Sequence, residues 1–122
     1  MTTERKLDRD AFLKLLADQF PEVAEIFTDI DDGLLHLEVA AFRRCAESAA
    51  DSGRLWDFER YLRFVDEIIP QADDALDNAL GISFIEDFAL DCNDARRDAV
   101  RDRAPKRIRE MMVTINPRLG DA

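Results

Sequence analysis

An all-α fold, a compact bundle or stacked hairpins of six to eight short helices, is what this 122-residue sequence predicts. Three observations carry the prediction. Apolar residues recur at spacings of three and four along most of the chain, the period of a half-buried helix. The 4 glycines and 4 prolines fall mainly where those periodic runs stop. No stretch alternates convincingly enough to make a strand.

Phe12, Leu16 and Phe20, with Leu13 beside them, mark a first helix that Asp8 or Asp10 can cap. Pro21 suits the first turn of a second, short helix. Val23, Ile26, Phe27 and Ile30 give that helix one face, and it should stop near Asp31-Asp32-Gly33. Alanine-rich sequence from Leu34 to Ala50 favours a third helix, closed by Asp51-Ser52-Gly53. Leu55, Phe58, Leu62, Val65 and Ile69 stripe a fourth that Pro70 ends, with Trp56 to one side. "DDALDNAL" makes a short helical piece up to Gly81, and Ser83 with Glu86 reads as a capping box opening another. Asn93 or Asp94 can cap "ARRDAVRDR", whose narrow apolar side is Ala95, Ala99 and Val100. Pro105 opens the last helix, striped by Ile108, Met111, Met112 and Ile115. The whole chain reads as one helical domain with flexible ends at about 1–7 and 117–122.

"DDGLLHLEV" decides the character of the third helix. As a strand it would put His36 and Glu38 on one polar face. As a helix turning 100° per residue it places Leu34, Leu35, Leu37, Val39, Ala41, Phe42, Cys45, Ala46 and Ala49 on one broad arc. Helix explains the whole run to Ala50, strand only its first residues. Helical phase then sends His36 to the surface with Arg43 and Glu47, within one turn of Asp32. It also aims Glu38 into the apolar arc, where an ionised carboxylate is costly without a base. Arg60, Arg63 or an arginine near the C-terminus is the expected partner.

The formal net charge of −10 is unevenly spread. Residues 1–93 carry −13 and residues 94–122 carry +3. Between Ala17 and Gly33 there is no base, while Asp18, Glu22, Glu25, Asp29, Asp31 and Asp32 accumulate. Such a field repels nucleic acid and anionic membranes and favours a cationic partner. The bases of the last quarter alternate with Asp94, Asp98, Asp102 and Glu110, as on a solvated helix or one docked on the acidic part. No run approaches the roughly 20 apolar residues that span a bilayer, and the charged N-terminus is unlike a secretory signal. A cytoplasmic protein is expected, with Cys45 and Cys92 as small core residues.

Chemistry is harder to find. There is no dinucleotide or P-loop glycine motif, no HExxH, GxSxG or CxxC, and only one histidine. "TDIDDG" lacks both the glycine offset and the closing glutamate of a calcium loop. No serine has a base beside it in sequence. The reading is a non-enzymatic protein without cofactor or metal.

"DGLLHLEVAAFRRCAESA", "LWDFERYLRFVDEII" and "DNALGISFIEDFAL" together resemble a family of small bacterial helical proteins without assigned function, over about residues 11–115. Such acidic proteins are similar in character to the immunity proteins encoded beside secreted bacterial toxins. That resemblance implies a basic protein partner, a toxin domain among the candidates, and no catalytic residues. Glu22, Glu25, Asp29, Asp31 and Asp32 are the expected contact patch, with Asp73, Asp74 and Asp77 as a second. A regulatory domain that binds a small molecule between helices is the alternative, and a carboxylate–metal hydrolase a weaker one.

Overall fold

In the computed structural model, which describes residues 6–26 and 34–120, the Asp8 carboxylate accepts the Ala11 amide at 2.9 Å and starts α1 (Arg9–Gln19). Pro21 then opens α2 (Pro21–Ala24), where its missing N–H costs nothing. The long α3 (Leu35–Asp51) and α4 (Leu55–Ile68) follow, joined by a tight reversal at Gly53. There φ is +75°, the Arg54 amide reaches the Ala49 carbonyl at 2.8 Å, and the Gly53 amide reaches Ala50. This is a Schellman closure, which favours glycine because a Cβ is strained at positive φ.

A single 3-10 turn at Pro70 leads to α5 (Asp74–Ala79), capped by Asp73 through the Leu76 amide. A π-helical stretch (Leu80–Glu86) and α6 (Asp87–Leu90) continue it without a break. The expected capping box is therefore absent: Ser83 and Glu86 lie inside a helix, where no free amides need satisfying. Gly81 does not interrupt the helix either, with open space around its Cα and φ in the ordinary range. Asn93 caps α7 (Asp94–Arg103), and Pro105 precedes α8 (Lys106–Ile115). Among the described residues there is no strand, only an isolated bridge between Leu7 and Ala72. No helix there is long and apolar enough to cross a membrane.

Aromatic rings hold the helices together. Phe42 of α3 meets Phe84 at 5.1 Å, Tyr61 at 5.6 Å, Phe64 at 6.0 Å and Phe20 at 6.1 Å between centroids. Phe20 adds edge-on contacts to Tyr61 and Phe64, and Phe58 reaches Phe88 at 5.8 Å. Edge-to-face and tilted rings at such distances attract beyond the area they bury. With Phe12 of α1 reaching Phe64 at 6.0 Å, one cluster gathers α1, α3, α4 and the π segment.

Several expected positions move. Leu34 and Leu37, assigned to the buried arc, are 49% and 46% exposed. The buried side of α3 is displaced from the arc counted: it runs through Glu38, Phe42, Ala46 and Ala49 and extends to Val39, Glu47 and Ala50, away from Leu37. Cys45 and Cys92 are free thiols at the edge of the core, and Ala95 is exposed. Two described residues near the ends, Leu7 and Leu119, are anchored to the fold. Leu7 exchanges backbone bonds with Gln71 and Asp73 at 2.7 and 2.8 Å, and Leu119 is buried in a 3-10 turn after α8.

Candidate functional site

Of the expected acidic patch, Glu22 and Glu25 are described and exposed, while Asp29, Asp31 and Asp32 lie outside the described residues. Val23, fully buried, anchors α2 and so turns its neighbours Glu22 and Glu25 outward. Glu22 accepts the Tyr61 hydroxyl at 2.9 Å. Burial first, and the Glu22 carboxylate second, push the Tyr61 phenol well above its ordinary value, so it acts as a fixed donor. Glu22 is thereby oriented by the core beneath it.

Across from α2 runs the open face of α3. Leu37, Arg44 and Ser48 share that face by helical phase, and all three are exposed. With Leu34 before them and Ile26 just after α2, three large apolar side chains stand 39–49% exposed on the two elements that flank residues 27–33. Between α2, α3 and α4 lies a cleft of about 250 Å³ lined by Glu22, Arg44, Cys45, Ser48, Arg54 and Tyr61. Burial and the Glu22 charge raise the Cys45 thiol, which stays protonated and a poor nucleophile. Arg54 is held by Ser48, Ser52 and Asp57. The second expected patch is split in use: Asp73 caps α5, and Asp74 and Asp77 stand on its exposed side.

Glu38 is 4% exposed, and its partner is Arg9 rather than any of the arginines expected. Arg9 Nε and Nη2 donate to its two carboxylate oxygens, both at 2.7 Å, in a side-on fork. Arg60 instead pairs with Asp57 and lies over the Phe20 ring, and Arg63 pairs with Glu59. The reason is position: Glu38 is in the first turn of α3 and faces the start of α1. No sequence spacing connects Arg9 to Glu38, 29 residues on.

His36 is exposed but not idle. Its Nδ1 lies 2.7 Å from Ser83 Oγ, a pairing that sequence separation hid. Arg43 donates to the Ser83 carbonyl at 2.9 Å and to Asp87 at 3.0 Å. Serine beside imidazole is half of a nucleophilic pair. Here Ser83 as a residue is 6% exposed within helix packing, leaving little room for a reacting carbonyl. The pair links α3 to the π segment. Glu47, expected at the surface, is buried between Arg43 (3.4 Å) and Arg96 (3.6 Å). Burial outweighs both arginines and raises its carboxyl above the ordinary value.

The basic segment is largely engaged within the fold. Arg96 forks onto Asp51 at 2.7 and 2.9 Å, Arg103 reaches Glu59, and Arg107 reaches Asp66. Arg97 and Arg101 pair with Asp94, Asp98 and Asp102 along α7 itself. Both expected arrangements, local pairing and docking onto the acidic part, occur together. Among the described residues no three His, Cys, Asp or Glu side chains are grouped to hold a metal ion.

No curated protein and no solved structure matches the chain. A family model does, over residues 13–117, and it spans α2 through α8 and most of α1. The chain belongs to the family described as a domain of unknown function, DUF7674.

Proposed function

We propose that this is a non-enzymatic binding protein of the bacterial cytoplasm, which neutralises a basic toxin domain as an immunity protein does. One observation carries the reading: Ile26, Leu34 and Leu37 stand exposed on the elements that flank residues 27–33, with Glu22 and Glu25 exposed on the first of them and Asp29, Asp31 and Asp32 in the sequence between. Exposed apolar side chains on elements that also carry carboxylates are what a partner with lysines and arginines around an apolar contact would require. The carboxylates would speed encounter, and burial of the leucines would slow release. Glu22 is already fixed by Tyr61, so it loses little freedom on binding.

The test is co-expression with a basic toxin domain encoded by an adjacent gene, scored as growth rescue, with affinity measured on the purified pair. Leu37→Asp and Glu25→Lys, each still folded, should weaken binding at least about tenfold, a loss of roughly 1.4 kcal/mol. Raised salt should slow association of the parent more than of Glu25→Lys. Unchanged affinity in both variants would overturn the assignment of this edge. Absence of any rescue would remove the toxin reading.

A further inference from the structure

No further inference is drawn: the strongest candidate, the cleft of about 490 Å³ between α4 and the α7–α8 joint, is lined by four arginines and four carboxylates, several already paired with one another, and nothing in the structure shows what would occupy it.

Discussion

Two glutamates on α3 are buried, and they respond oppositely to loss of charge. Glu38 is met by a two-pronged arginine, so truncation removes both of these charge-assisted bonds. Glu38→Ala should cost about 3 kcal/mol, the lower end for a broken buried pair, since the Arg9 side chain is 31% exposed. Thermal unfolding by circular dichroism checks this, and an unchanged midpoint would show that the fork contributes nothing. Glu47 has arginines only at longer range, and its folded-state carboxyl titrates above its unfolded one. Its contribution to stability is therefore full below the unfolded value and is lost as pH rises through the folded one. Glu47→Gln should gain on the parent at neutral pH, with the gap closing in acid, in urea denaturation at both conditions. Asp51 runs the other way: the Arg96 hydrogen bond holds its carboxyl below the ordinary value, so its contribution fades as pH falls. Helical phase made the burial of Glu38 legible in the sequence. It could not name Arg9, because contacts across 29 residues depend on how helices stack, which no local period encodes.

At the scale of elements, caps and closures were readable because they are local chemistry. Asp8, Asn93 and the prolines all stand where their hydrogen-bonding capacity places them. Gly53→Ala tests the sharpest of these. Open space surrounds the added methyl, so its cost is conformational, about 1 kcal/mol, and Gly53→Asn should recover part of it. Equal stability of all three proteins would mean the turn relaxes out of positive φ. Residues 80–86 were misread for the opposite reason. Ser83 and Glu86 have capping chemistry, yet the amides around them are already engaged in a continuous helix. Tertiary contacts from His36 and Arg43 meet Ser83 instead. A widened helical turn is recorded in such distant partners and not in its own seven residues.

At the scale of the molecule, the rings of the described residues are divided unequally between inside and outside. Phe42→Ala should cost about 4 kcal/mol, since it removes the ring that Phe20, Tyr61, Phe64 and Phe84 share. Trp56, the only tryptophan, is 65% exposed. Its fluorescence should resemble that of indole in water and shift little on unfolding, while circular dichroism reports the full transition. A large spectral shift would place Trp56 against a neighbour. The all-helical class followed from local signals, the helical period and the glycines and prolines that end it, which need no knowledge of neighbours. The exposure of Leu34 and Leu37 did not, because phase tells which residues share a side and not whether anything covers that side. The Arg9 fork finally bears on where this domain may be cut. The stretch shared with the family begins at residue 13, beyond the Asp8 cap, the Leu7 backbone bonds and Arg9. It ends at 117, before the buried Leu119. A recombinant fragment trimmed to those borders would keep nearly every helix and still leave Glu38 buried without its arginine fork, so family borders are poor scissors for this chain.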